Sequence, residues 1–212
     1  MQRGILGGAV LILSLVLISG CELPFFPDVQ VPVPVAVQTV LADRAAFEPG
    51  ADDPLAQVEP GTVMDDLAVL DGCWGTVFTS SDFTINVGFF VVYQFDNTAG
   101  TFTRWSGMAN AAGELWPLMP LLSVETGSFT VEGPAAIVLT DEHMYTNIDP
   151  VTSQVSDTLY EVGALAVPMD RPVIVTLSDD SMLLYIDVET VDDIDPTEQR
   201  PIFYKFDCPA GA

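Results

Sequence analysis

The chain has 212 residues, 30 acidic against 6 basic side chains, a net charge of −24 and an apolar fraction of 49%. That apolar share can build a packed core and is too high for a disordered acidic tail, whereas the negative charge repels phosphate backbones and excludes nucleic acid as a partner. One histidine, His143, and three cysteines exclude most histidine-dependent catalysis and any multi-cysteine zinc site.

Residues 1–20 read as a targeting segment. Arg3 is its one basic residue, and Ile5 to Ile18 is an apolar run broken only by Gly7, Gly8 and Ser14. A membrane-spanning helix needs about 20 apolar residues, so this shorter run suits the apolar region of a signal peptide. It ends in Ile18-Ser19-Gly20-Cys21, which resembles the lipobox of bacterial lipoproteins. The resemblance implies cleavage before Cys21, acylation of its thiol by palmitate-type chains and anchoring in a cell-envelope membrane. Two or more acyl chains make such anchoring stable. Glu22, rather than Asp, after the cysteine implies the outer membrane in a Gram-negative cell of the enteric type.

Residues 21–64 have a different character. Leu23-Pro24-Phe25-Phe26-Pro27 and Val31-Pro32-Val33-Pro34-Val35 space their prolines as polyproline II does, and Ala51-Asp52-Asp53-Pro54 and Glu59-Pro60-Gly61 add turn signals. The expectation is a tether over 22–50, with 51–64 left open and a short helical turn around Met64 to Val69. Fully extended, residues 22–64 would reach roughly 130 Å. A competing reading places the Val-rich part as an extra strand along the domain edge.

From residue 65 to 212 the pattern is β. Strands are predicted at Gly72–Thr79, Val87–Asp96, Thr101–Trp105, Gly127–Glu132, Ala135–Thr140, His143–Ile148, Thr158–Val162, Pro172–Leu177, Ser181–Val188 and Ile202–Phe206. The clearest puts Phe89, Val91, Tyr93 and Phe95 on one face and Phe90, Val92, Gln94 and Asp96 on the other. Asn97-Thr98-Ala99-Gly100 reads as a hairpin turn. Short strands at near-regular spacing make an all-β sandwich or barrel.

With Cys21 acylated, Cys73 and Cys208 remain as a pair in an oxidising compartment. Bridged, they would bring the first strand beside the segment after the last, the adjacency that a closed up-and-down barrel requires. Two separate buried thiols are the alternative.

At Leu70-Asp71-Gly72-Cys73-Trp74 the sequence resembles the lipocalin and lipocalin-like (calycin) families, which carry Gly-x-Trp at the start of the first strand. The layout downstream is similar: Tyr93-Gln94-Phe95-Asp96, then Ser178 followed by Met182-Leu183-Leu184, then a closing strand over Pro201 to Lys205. The resemblance covers about residues 66–208 and implies an antiparallel up-and-down barrel of eight to ten strands around a ligand cavity. It also implies that Trp74 packs at the closed end under a basic side chain, for which Lys205 is the nearby candidate, with Gly72, Trp74 and Lys205 all structural.

No Gly-x-Ser-x-Gly elbow, phosphate-binding Gly-rich loop, His-Glu-x-x-His or Cys-x-x-Cys is present, so neither catalysis, a cofactor nor a bound metal is expected. His143 reads as a solvated turn residue. Asp192-Asp193-Ile194-Asp195-Pro196-Thr197-Glu198 lacks the order of a Ca²⁺ loop and reads as a solvated acidic loop. The apolar stretch Trp116 to Leu122 fits a lid, a buried crossing or a partner patch. The leading functional expectation is a membrane-anchored barrel that holds an apolar or amphipathic small molecule against Phe89, Tyr93, Leu184 and Ile186, with Met182-Leu184-Ile186-Val188 as one inward row. The alternative is a non-enzymatic structural or protein-interaction lipoprotein with a filled barrel and an unknown protein partner.

Overall fold

A computed structural model describes residues 33–48, 67–79, 88–109, 122–133, 135–149, 151–152, 154–178, 181–194 and 200–209. The signal segment, Cys21, residues 51–64, Trp116 to Leu121 and Asp195 to Glu198 lie outside the described residues. Eight antiparallel strands, each bonded to its neighbour in chain order, close into one barrel: β1 Gly72–Thr79, β2 Gly88–Asp96, β3 Thr101–Ala109, β4 Leu122–Gly133, β5 Ala136–Ile148, β6 Val155–Leu177, β7 Ser181–Ile186 and β8 Ile202–Phe206.

Ten predicted strands become eight because two breaks are bridged by irregular ladder. β5 runs through Asp141-Glu142 with a register shift between Asp141 and His143. β6 crosses Gly163 to Pro168 at the same shift: Asp141 faces Met169 and His143 faces Ala164, so β6 carries extra residues there. Pro168 is tolerated because β7 pairs with β6 only from Val173 onward, which leaves the earlier part of β6 as an edge.

The barrel closes where β1 meets β8, over three pairs: Cys73 with Phe206, Trp74 with Lys205, and Gly75 with Tyr204. Cys73 and Cys208 are joined by a disulfide beside this seam, with Cα atoms 5.2 Å apart. At the same end the turns are tight. Asp96 Oδ1 accepts the Thr98 and Ala99 amides, and Gly100, at φ +67°, donates to Asp96 O. This is the predicted hairpin turn. Longer connections join the strands at the opposite end: 80–87, 110–121 and 187–201.

The expected tether is replaced over 33–48 by packed structure, and the edge-strand alternative is replaced with it. Val35–Ala42 forms a helix, α1, followed by a 3-10 turn at Arg44–Ala46. Ala36, Val37, Val40, Leu41 and Phe47 are buried against Val77, Phe90, Val92, Trp105, Leu122 and Val124 on the barrel's outer surface. The spacing 36, 37, 40, 41 is that of one helix face, and no proline follows Pro34 until Pro49. Valine is a mediocre helix former, but burial of this face outweighs the propensity. Gly75 allows the close approach: a Cβ there would lie 2.5 Å from Val40 Cγ2. Beyond Gly75 the pairing of β1 with β8 stops, and Phe47 O accepts the Val77 amide at 2.9 Å, satisfying a donor at the unpaired end of the seam.

A second strap covers β6 to β8. Asp187, at φ +62°, turns the chain, and both Asp187 N and Val188 N donate to Pro172 O. Val188 therefore joins Ile174, Leu183, Tyr185 and Ile202 outside the barrel. The expected inward row ends at Ile186, because a left-handed residue cannot continue the alternation of a strand.

Candidate functional site

Directly opposed residues of antiparallel strands share a face, so the ladders define which side chains point into the lumen. Its lower part, next to the tight turns, is filled. Trp74, Tyr93, Phe95, Phe102, Phe129, Leu139, Met182, Leu184 and Phe203 form one buried cluster. Tyr93 and Phe95 stack at 5.5 Å, and Phe129 and Phe203 meet them edge-on. Lys205 Nζ caps this end, 5.1 Å from the Trp74 ring centre and 2.7 Å from Val69 O, while Trp74 Nε1 donates to Leu70 O. Gly72, at φ +115°, starts β1 with its Cα side against Lys205 Cε. The three residues of the Gly-x-Trp resemblance are thus brought into one arrangement.

Above the aromatic cluster lies a polar layer. Strands β2, β3 and β4 present Tyr93, Arg104 and Glu125 in one cross-strand row, and β5 and β6 add Asp141 and Arg171. Arg104 Nη1 donates to both Glu125 oxygens at 2.7 Å, and Arg171 Nη2 lies 3.2 Å from Glu125 Oε2. Arg171 Nη2 also pairs with Asp141 Oδ2. The Arg104 guanidinium sits 5.9 Å from the Tyr93 ring centre. The result is an ionic chain, Arg104–Glu125–Arg171–Asp141, laid across four strands.

Burial governs the electrostatics of this layer. It pushes the Tyr93 hydroxyl upward despite Arg104 and Arg171, so the phenol stays neutral. It also raises the Asp141 carboxyl, against the pull of Arg171 and with the help of Glu125. For Arg104 burial favours the neutral form, but negative charge beside it, from Tyr93 where that phenol ionises and from Glu125, outweighs burial and the pKa rises. The guanidiniums remain charged.

Above the layer Thr76 is fully buried, but other inward-facing side chains keep contact with solvent. Phe78, stacked on Phe89 at 5.6 Å, is 38% exposed, and Phe89, Val91, Ser106, Met108 and Ser123 are half-buried. Solvent contact reaches the layer itself: side-chain exposure is 22% for Arg104, 16% for Arg171, 12% for Glu125 and 5% for Asp141. Among the described residues the lumen thus has an aromatic base, a charged floor and, above it, inward apolar and hydroxyl groups with solvent contact; this upper part is termed the cup.

The residues expected to line a ligand divide accordingly. Phe89 stands on the wall, Ile186 packs from the side against the lower cluster, and Tyr93 and Leu184 lie within that cluster. Arg104, Glu125, Asp141 and Arg171 were not anticipated. Their signal was available: Phe102 and Arg104 alternate inward on one short strand, and Arg104 and Arg171 are two of only six basic residues in the chain. The carboxylates give no such signal, because 30 of them guarantee neighbours by chance.

The remaining candidates stand apart. His143 Nδ1 meets Glu161 Oε1 at 3.2 Å on the exposed outer surface. Asp192 and Asp193 belong to an exposed 3-10 turn, Val191–Asp193. Leu122 is buried in the outer cluster that α1 joins, its amide donating to Asn147 Oδ1. Among the described residues no group of three or more His, Cys, Asp or Glu side chains is placed to hold a metal ion. No protein-family model matches the chain, and no curated protein matches it.

Proposed function

We propose that this protein is a lipid-anchored binding barrel of the cell envelope that holds an amphipathic small molecule in the cup, without covalent chemistry. The observation that carries the reading is the contrast along the lumen: buried aromatics below, and half-exposed inward side chains above a charged floor. A lumen packed to its top would expose none of Phe78, Val91 or Met108. An apolar chain against Phe78, Phe89, Val91 and Met108 loses water contact, while the floor gives its polar end partners.

Trp74 beneath Lys205, with Gly72 at the strand start, supports kinship with lipocalin-like barrels. The lipid anchor rests on Ile18-Ser19-Gly20-Cys21, with Glu22 favouring the outer membrane. Because α1 is docked on the barrel, only the stretch from Cys21 to Val33 is left to act as tether. At most roughly 40 Å of reach follows from extended-chain geometry, so the cup works close to the membrane surface.

The test is native mass spectrometry of the full chain released gently from detergent after exposure to envelope lipid extract. The expected result is a bound species of one-to-one stoichiometry. Ser106→Trp, which puts an indole into the cup from a half-buried inward position, should reduce that species at least about tenfold while the fold is retained. A protein that carries nothing from any extract, or a blocked variant that binds as the original does, refutes the reading and favours a structural or protein-interaction role.

A further inference from the structure

The floor of the cup constrains the head group that can rest on it, an inference that depends on the binding role proposed above. Two guanidiniums and two carboxylates meet there, and their formal charges cancel. Glu125 engages both arginines, and Asp141 holds Arg171 a second time. Neither arginine keeps an uncompensated charge to offer an anion.

Hydrogen-bonding capacity is nevertheless left over. Arg104 Nε, Arg171 Nε, Asp141 Oδ1 and Thr76 Oγ1 are shielded from water and have no partner among the described residues. The first two are donors, Asp141 Oδ1 is an acceptor, and the threonine hydroxyl is either. Thr76 is fully buried and faces inward opposite Val91, and the Asp141 side chain is 5% exposed. Shielded polar atoms without partners are costly, and a group that answers them gains what they have lost.

We infer that the cup takes an amphiphile whose polar head is uncharged and carries both a hydrogen-bond donor and an acceptor, such as a primary carboxamide or an alcohol. A carboxylate brings only acceptors, and it adds a third negative charge beside Glu125 and Asp141 where water screens poorly. The chain's net charge of −24 repels it further. An alkylammonium brings only donors and a third positive charge beside Arg104 and Arg171. A carboxamide or hydroxyl answers both kinds of leftover atom and leaves the four-charge network intact.

The experiment is titration calorimetry of the full chain, held in a zwitterionic detergent, with octanamide, octanol, octanoate and octylammonium. Octanamide or octanol should bind at least about tenfold more tightly than either ion. Glu125→Gln leaves the floor one positive charge in excess, so octanoate should gain on octanamide by about tenfold or more; Asp141→Asn should shift the ratio in the same direction. Octanoate matching octanamide on the unaltered protein overturns the head-group assignment and leaves the cup standing. Binding of none of the four overturns the cup itself. An unchanged ratio in both folded variants removes the floor from recognition, and if neither variant folds, the ranking on the unaltered protein decides.

Discussion

Val40→Ala distinguishes a docked α1 from a solvated tether. Val40 is fully buried between Gly75 and the outer surface of β1 and β2. Removing two methyl groups forfeits about 1.6 kcal/mol of transfer free energy at roughly 0.8 kcal/mol each. The cavity left behind raises the loss to about 2–3 kcal/mol. Alanine is the better helix former by about 0.5 kcal/mol, which works the other way, so the net destabilisation should be about 2 kcal/mol. Val35→Ala provides the control: Val35 belongs to the same helix but is 54% exposed, so its substitution carries the helix gain with little packing loss. Urea unfolding of the disulfide-intact chain should move the midpoint of the Val40 variant down by about 1 M at a slope near 2 kcal/mol/M. The Val35 variant should stay within about 0.5 kcal/mol of the original. If the two variants unfold together, α1 contributes nothing to the folded unit and the packing argument fails.

The Cys73–Cys208 bridge spans a sequence separation of 135, and in the chain-entropy model a loop of that size stabilises by about 5 kcal/mol, so Cys73→Ala/Cys208→Ala should lower the urea midpoint strongly; unchanged unfolding would show that the three-pair seam holds by itself. Gly72→Ala puts a side chain at φ +115° and against Lys205 Cε, which should cost about 1–3 kcal/mol by thermal or chemical unfolding; a neutral effect would mean that the strand start relaxes freely. Burial raises the Asp141 carboxyl in the folded state, so between the ordinary carboxylate pKa and the folded one the native protein binds more protons than the unfolded chain, and this residue's contribution falls as pH rises through that window. Asp141→Asn should therefore flatten stability against pH from about pH 4 upward. The exposed Asp149, lowered by the Val151 and Thr152 amides, acts in the opposite sense in both proteins and cancels in the difference; parallel profiles would refute the assignment.

Much of the barrel is written in local pattern. β1 and β8 have the predicted bounds, and β2 differs from its prediction by one residue, because period-two alternation is a property of a few consecutive side chains. The turn at 97–100 follows from Asp96 and Gly100 in the same local way. The pairing of Cys73 with Cys208 was reachable from parity and from the oxidising compartment that the N-terminal pattern leads one to expect. Other features have no local cause. Val35–Ala42 carries prolines before it and β-branched residues within it, which resemble a tether or an edge strand until a barrel wall is there to bury Val37 and Val40.

The same division runs through the candidate site. Alternation places Phe89 and Tyr93 on one face of β2, but whether a residue on that face is packed or wetted depends on its height in a lumen shared by eight strands. Arg104 and Glu125 lie on neighbouring strands, and Arg171 joins them from 46 positions beyond Glu125. The sequence alone determined the β periodicity, the hairpin chemistry and the acidic charge, since each depends on neighbours along the chain. Only the closed barrel decided that four charges meet above an aromatic base, and that a Val-rich stretch becomes a helix, because both depend on which distant surfaces exclude water from them.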